Sequence, residues 1–468
     1  MRTGAPPVAP SRDDPLVARL TGWLGGPTGL YARIRWDPRA PLVAVAVVTT
    51  LTMLAGLWQK GACYEIAWDR SAGNKGDFLF NHTCYSDIAI LYRERGFAQH
   101  RVPYLQTGSY PVLEYPVLTG FVMQATALIA RAIGPGPVVG TSVTFFDVNA
   151  VLLFGMALVV GWSIVALSGS RRWDALLFAG APVLALSGTI NWDLVAVALT
   201  GVAMVLWMRR HPWMAGVLLG LGAATKLYPM FVAGPLLVLA LRSGRLLGWV
   251  KLMVAGAVAW SAVNLPVIVL APEQWRYFFD FNDDREADFG SLWFVLHLAG
   301  RDLTDLNRTS LLLFGIGCGF VALLTLSAPR RPRVPQVVFL VIAIFLLVNK
   351  VYSPQYVLWM LPLAILAHPR VRDVLIWQSV EVLYWLMVWM YLGGLYAQHP
   401  VGRWYWLAVV VRLLATLWFC GLVVRDVLGP SHDPVRADPA VDDPAGGEFD
   451  HAPDAGWRRR LSDAFAHG

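Results

Sequence analysis

Charged residues make up only 15% of this 468-residue chain, and lysine is almost missing: Lys60, Lys75, Lys226, Lys251 and Lys350 stand against 33 arginines. So little charge excludes an ordinary soluble globule. It also makes each lysine conspicuous. Several signatures are missing as well. There is no GxxxxGK phosphate loop, which argues against ATP-driven transport, and no DxD pair to hold a nucleotide through a metal. GxSxG, HExxH and a CxxC pair are absent too. No resident cofactor or metal is expected.

What the chain has in quantity is oil. Hydrophobic residues reach 56%, there are 21 tryptophans, and the mean hydropathy is +0.52. Apolar runs of bilayer-spanning length recur, so the expected class is an all-α polytopic membrane protein. The formal charge of +7 comes from arginines clustered between apolar runs, as inner-leaflet anchors are, and implies no nucleic-acid partner. Residues 1–40, rich in Pro, Gly and Arg, contain no signal-peptide pattern. They are expected to be a largely disordered cytoplasmic segment. The first apolar run starts at Pro41.

Arg33, Arg35 and Arg39 place the N-terminus inside, and the clusters at 171–172, 209–210, 242–251, 330–333, 370–372 and 425 ask for the same side. Each consecutive pair must then be joined by a helical hairpin. The expected spans are 41–58, 143–169, 173–190, 194–208, 213–225, 228–241, 249–271, 310–327, 335–348, 356–367, 374–393 and 403–424, about twelve in all. The run 112–133 is left over, because counting it would invert every later cluster. It reads as a juxtamembrane or re-entrant helix, with an ordinary span as the alternative.

Two hairpins are too short to be ordinary. Legs drawn from 213–241 and 335–367 rise roughly 20 to 25 Å, against about 30 Å of hydrocarbon. Their tips hold Lys226, Tyr228 and Pro229 in one case, and Asn349, Lys350, Tyr352, Ser353, Pro354, Gln355 and Tyr356 in the other. Polar backbone and cations at that depth are tolerated when they line a cavity, so the two lysines are expected to face one shared recess. The bland alternative is snorkelling to headgroups. A third outer turn carries Asn191, Trp192 and Asp193, for which an interfacial Trp and a helix-capping Asp are the plain reading.

Two outward loops are long: 59–142, which includes the leftover helix, and 272–309. Loops of this length on a membrane core usually carry function. The first holds Cys63 and Cys84, the two cysteines outside expected helices, so a disulfide is expected on that oxidising side. Asp87, Arg93, Arg95 and Glu114 follow. In the second loop, Asp283, Asp284, Glu286 and Asp288 read as a solvated face rather than a cation site. The tail 426–468, acidic and rich in Pro and Gly, is expected to be disordered and cytoplasmic.

These pieces in this order resemble a known family. The aspartate of "CYSDIAILYRERG" in the first long loop, "RGFAQHRVPYL", "EYPVLTG", the "TINWDLVAVAL" and "ATKLYPMFVAGPLL" hairpins, and "NKVYSPQYVLWMLPL" are similar to the GT-C membrane glycosyltransferases. Most closely they resemble family 87, the polyprenyl-phosphate-mannose-dependent α-mannosyltransferases. The likeness runs from about Pro41 to Arg425, a single GT-C-like domain over 41–425. It implies an inverting transfer on the outer face of the cytoplasmic membrane, with Asp87 as general base. Lys226, Lys350, Gln355 and Tyr356 would contact the donor phosphate, with Arg93, Glu114, Asp193, Tyr228 and His297 as further substrate-binding candidates. Implied partners are a polyprenyl-phosphate sugar, an envelope acceptor such as a glycolipid or polysaccharide, and membrane lipid. A pentose or glucose donor, or a lipid or solute transporter, are the competing readings.

Overall fold

The computed structural model describes residues 8–9, 14–26, 37–69, 75–105, 108, 110–134, 138–394 and 404–457. Among them there are helices and turns but no strand. Six helices are long and apolar enough to cross a bilayer: Ala40–Gln59, Val138–Leu167, Leu246–Leu270, Leu306–Ser327, Val371–Leu392 and Tyr405–Leu428. Six shorter apolar helices, of 10–17 residues, stand among them: Val117–Ile133, Asp193–Met208, Pro212–Ala223, Tyr228–Ser243, Val334–Val348 and Pro354–Ala367. At 1.5 Å per residue these reach only about 15 to 25 Å. Their ends therefore stop short of a bilayer's width, and polar tips gather where they stop.

Proline and glycine set several of these limits. The stretch 173–190, expected as one span, is broken into Arg172–Ala175, Leu176–Ala179 and Pro182–Ser187. Pro182 holds Ala181 in an extended conformation (φ −67, ψ 122), and a residue preceding proline is disfavoured in a helix. Glycine acts by closeness instead. A Cβ on Gly216 would meet the Leu252 carbonyl oxygen at 2.1 Å, and one on Gly220 the Gly256 oxygen at 2.2 Å. Helices Pro212–Ala223 and Leu246–Leu270 thus touch backbone to backbone, as small residues permit between apolar helices.

The basic clusters collect at one end of the molecule. Arg171 donates to the Pro369 carbonyl, and Arg370 to that of His432. The tail, expected to be disordered, is folded there over its described part. Arg333 pairs with Asp433 (2.7 Å), Arg331 with Asp442 (3.0 Å) and Arg242 with Asp454 (3.1 Å), while Trp207 donates to the Gly446 carbonyl. Phe449 is buried against Trp207. The tail's carboxylates are the partners of cations that sequence reasoning assigned to lipid headgroups. Residues 458–468, like Arg33 and Arg35, lie outside the described residues. Within the supposedly disordered N-terminal segment, Pro15–Gly25 is a helix capped by Asp14, whose other carboxylate oxygen accepts from Val371 N–H.

At the opposite end of the molecule, helix Val117–Ile133 is bonded to neighbouring elements at both of its own ends. Leu118 N–H bonds the Ala224 carbonyl beside Lys226, and Arg131 donates to the Phe97 carbonyl in the first loop. The second loop is helical over Pro272–Asp284 and Leu292–Leu298. Cys63 and Cys84 are joined by a disulfide, both fully buried.

Candidate active site

Asp87 is the first residue of helix Asp87–Glu94, with Ser86 as its cap. Ser86 accepts from Ile88 N–H and donates to the Thr189 carbonyl, and Asp87 N–H donates to Ile190. The start of this helix is thereby fastened to the turn that carries Asn191. Tyr85 Oη donates to Asp87 Oδ1 (2.6 Å) and Asn191 Nδ2 to Oδ2 (2.8 Å). The same amide nitrogen lies 2.6 Å from Tyr115 Oη, and Asn191 Oδ1 accepts from Trp192 N–H. Lys60 Nζ, buried at the end of the first long helix, holds the Tyr85 carbonyl.

The electrostatics of Asp87 are divided. Burial pushes its carboxyl above the ordinary value, while the bonds from Tyr85 and Asn191 and the charge of Lys226 pull the other way without cancelling it. A carboxylate so placed is a stronger base than a free one and still has donors to hold it.

Asp87 opens on a cavity of about 950 Å³, whose walls include Tyr85, Glu114, Tyr115, Asn191, Lys226, Arg285, Asp288, Lys350, Gln355 and Tyr356. Lys226 and Lys350 therefore share one recess. Lys226 Nζ lies 3.6 Å from Asp193 Oδ2 and 5.1 Å above the Tyr115 ring. Lys350 Nζ donates to the Asp283 carbonyl (2.9 Å). Asp193, fully buried, accepts from Trp359 Nε1, and Trp359 is stacked between Tyr228 and Tyr356. Tyr228 and Asp193 thus support the wall from behind.

Other candidates are placed differently. Arg93 donates to the Ala67 and Trp68 carbonyls and braces the disulfide loop. Glu114 lines the cavity, but both its oxygens are taken by Arg95 at 2.7 and 2.8 Å. His297 pairs with Asp302 (2.7 Å) on the wall of a different cavity. Sequence reasoning also left Tyr115, Arg285 and Asp288 without a role. Tyr115 sits within the quoted EYPVLTG stretch, and Arg285 is the one cation in the acidic run 283–288.

The second loop is pinned into this wall. Asp288 N–H donates to the Lys350 carbonyl, Tyr405 Oη to Phe289 and Arg412 to Gly290. A Cβ on Gly290 would lie 2.2 Å from Tyr384 Oη, so only glycine fits this close approach. Among the described residues, the one His, Asp and Glu grouping compact enough for a metal is Asp442, Asp450 and His451, at the far end.

Beside the charged cavity lies an apolar groove of about 620 Å³ between helices Pro212–Ala223 and Leu246–Leu270. Tyr115, Pro116, Leu227, Phe278 and Phe279 line both. The profile of glycosyltransferase family 87 matches residues 113–349, half of the chain. That stretch contains Glu114, Asn191, Asp193 and Lys226, and stops short of Asp87 on one side and Lys350 on the other. No curated protein matches the chain.

Proposed function

The chain belongs to glycosyltransferase family 87 and is a multi-pass membrane protein, and on that premise we propose that it transfers a sugar, mannose in the first instance, from a polyprenyl-phosphate donor. The observation that carries this reading is the junction of a charged cavity, which holds the buried Asp87 carboxylate and has Lys226, Arg285 and Lys350 on its walls beside further carboxylates, with an apolar groove. A prenyl chain suits the groove. Its phosphate then comes to rest near Lys226, where the two spaces meet.

Asp87 takes the proton of an acceptor hydroxyl as that oxygen attacks the anomeric carbon, and the bond from that carbon to the phosphate oxygen breaks on the opposite face. Configuration inverts. The leaving group is a phosphate monoester that needs no proton, and Lys226, Lys350 and Arg285 stabilise its added charge. One carboxylate suffices. Five of the six short helices complete, with the six long ones and the broken 172–190 segment, a GT-C-type bundle of about twelve crossings, with the sixth, Val117–Ile133, lying along the outer face. In that arrangement the cavity faces away from the cytoplasm.

Purified protein in lipid nanodiscs, given radiolabelled polyprenyl-phosphate mannose and an envelope lipid extract, is expected to form a labelled product. Transfer from a pentosyl or glucosyl donor instead would change the sugar and keep the mechanism. No transfer from any such donor would sink the reading in favour of a lipid or solute transporter.

A further inference from the structure

Two ionisable side chains that the transfer chemistry does not use lie inside the bundle: Glu381 in helix Val371–Leu392 and Arg412 in helix Tyr405–Leu428, 2% and 0% exposed. Burying such groups among apolar helices is costly. Tyr352 stands between them. Its Oη donates to Glu381 Oε2 (2.8 Å), and the Arg412 guanidinium carbon lies 3.5 Å from the centre of its ring, in reach of a cation–π contact. Tyr384, on the same helix as Glu381, donates from its Oη to the Tyr352 carbonyl (3.3 Å).

What this group grips is the wall of the Asp87 cavity. Arg412 Nη2 donates to the Gly290 carbonyl (3.0 Å) in the second loop, and Tyr352 follows Lys350 by two residues. The two gripped segments are bonded to each other, Asp288 N–H to the Lys350 carbonyl (2.8 Å). Asp288, Lys350 and Tyr352 line the cavity, whereas Glu381 and Arg412 stand behind it. Among the described residues, Arg412 Nε and Nη1 and Glu381 Oε1 are buried without a hydrogen-bond partner. A pair that served stability alone would have these atoms satisfied, because each unmet one subtracts from it. The contacts that are made go to the tyrosine and the loop.

We propose that Glu381 and Arg412 are positioning residues, which hold Tyr352 from two sides and the second loop at Gly290, and so set where Lys350 stands in the cavity. Neither touches substrate. A lysine side chain is flexible, so its reach is governed by the backbone that carries it, and a misplacement of about 1 Å is enough to weaken a contact in an active site. The proposal rests on the reading of Lys350 as a contact to the donor phosphate. It adds that this contact depends on a buried pair in the last two spanning helices.

The test joins a geometric readout to a kinetic one. Arg412→Met combined with Glu381→Gln removes the guanidinium and leaves an amide that still accepts from Tyr352, so no buried charge stands alone. In the full-length protein in nanodiscs, hydrogen exchange of the Asp288 amide, which the Lys350 carbonyl protects, is expected to quicken at least about tenfold while the melting temperature stays near that of wild type. The KM for polyprenyl-phosphate mannose should rise about fivefold or more. Half-saturation in the envelope lipid extract used as acceptor should not move, which a general loosening of the fold would not spare. In a Lys350→Met background the pair should add little. Should the pair variant not fold, Tyr352→Phe, which deletes one hydroxyl, carries the same expectation at about threefold faster exchange. Wild-type exchange at Asp288 in a folded variant overturns the proposal. So does a donor KM that the pair variant leaves unchanged, whether or not Lys350→Met raises it. Faster exchange in a protein that transfers no sugar from any such donor would sink the transferase reading while supporting the positioning of Lys350.

Discussion

Asn191 donates its side-chain amide to Asp87 Oδ2 at 2.8 Å across 104 residues of sequence. Together with Tyr85 on the other oxygen, it fixes the plane of the carboxylate while leaving it facing the cavity. Asp87→Asn keeps the shape and removes the base. Transfer is expected to fall about 100- to 10,000-fold, roughly three to five kcal/mol of barrier, with folding intact. Activity within a few-fold of wild type would remove Asp87 from the mechanism; Glu114, being clamped by Arg95, would be a poor substitute.

The same carboxyl predicts a pH dependence. Burial raises its pKa above the ordinary carboxylate value, and a base works only when ionised. The rate should therefore fall as pH drops toward that raised value, above the usual range near 3.9. The limb should be traced with kcat/KM, which reports the free enzyme. A profile flat down to pH 4 would contradict it.

Lys226→Met is expected to weaken use of the donor by about 1.5 to 3 kcal/mol, the worth of a hydrogen bond to a charged group. It also strips Asp193, which is buried, of its nearest cation, so stability should fall as well. Adding Asp193→Asn separates the two effects. The double variant should regain thermal stability and keep the raised KM for donor. Recovery of both would mean that Lys226 serves only to neutralise Asp193.

The disulfide between Cys63 and Cys84 closes the loop immediately before Asp87. Cys63→Ala should cost about 2 to 4 kcal/mol of stability. Non-reducing peptide mapping of membrane-isolated protein is expected to recover the linked pair. Two free thiols would contradict it.

At the other end, Arg333 and Asp433 form a buried pair, 2% and 0% exposed. Arg333→Met leaves Asp433 unpaired and should cost about 3 to 5 kcal/mol, read as a lowered melting temperature. Burial opposes ionisation of Asp433, but Arg333 overrides it and holds the carboxyl below its ordinary value. This contribution is thus present above about pH 4 and lost as pH falls through the depressed value. Protease accessibility of residues 429–457 should rise over that acid window in wild type. In Arg333→Met it should be high already at neutral pH.

Much of this plan was legible because charge and length are one-dimensional quantities. Arginine clusters mark one end of the molecule, and the shortness of the hairpins at Lys226 and Lys350 brings both lysines to one recess. The disulfide pairing follows from which two cysteines fall outside the expected spanning helices, although Cys63 proves to sit in a short helix of the first loop, Gly61–Glu65. What was not legible depends on distant partners. Nothing near Arg333 announces Asp433 a hundred residues later, so cations and tail were both assigned to water or lipid. Pro182 lies within an otherwise apolar run whose hydropathy predicts a continuous span over 173–190, and the break it imposes does not show in hydropathy. Arg93 is a candidate by its nearness to Asp87 in sequence and His297 by its residue type, whereas their roles depend on where the Ala67 and Trp68 carbonyls and Asp302 fall in space.

The docked tail bears on how the protein is made. Arg242, Arg331 and Arg333 are synthesised well before Asp433, Asp442 and Asp454, their partners in the finished molecule. Throughout insertion they are therefore free positive charges of the kind that holds a loop on the side from which the ribosome delivers it. Once the acidic segment emerges, it converts those charges into internal contacts. The same guanidinium groups then tie the ends of its helices together, so the closing of the bundle waits on residues 433–454, which are translated after the helices they join.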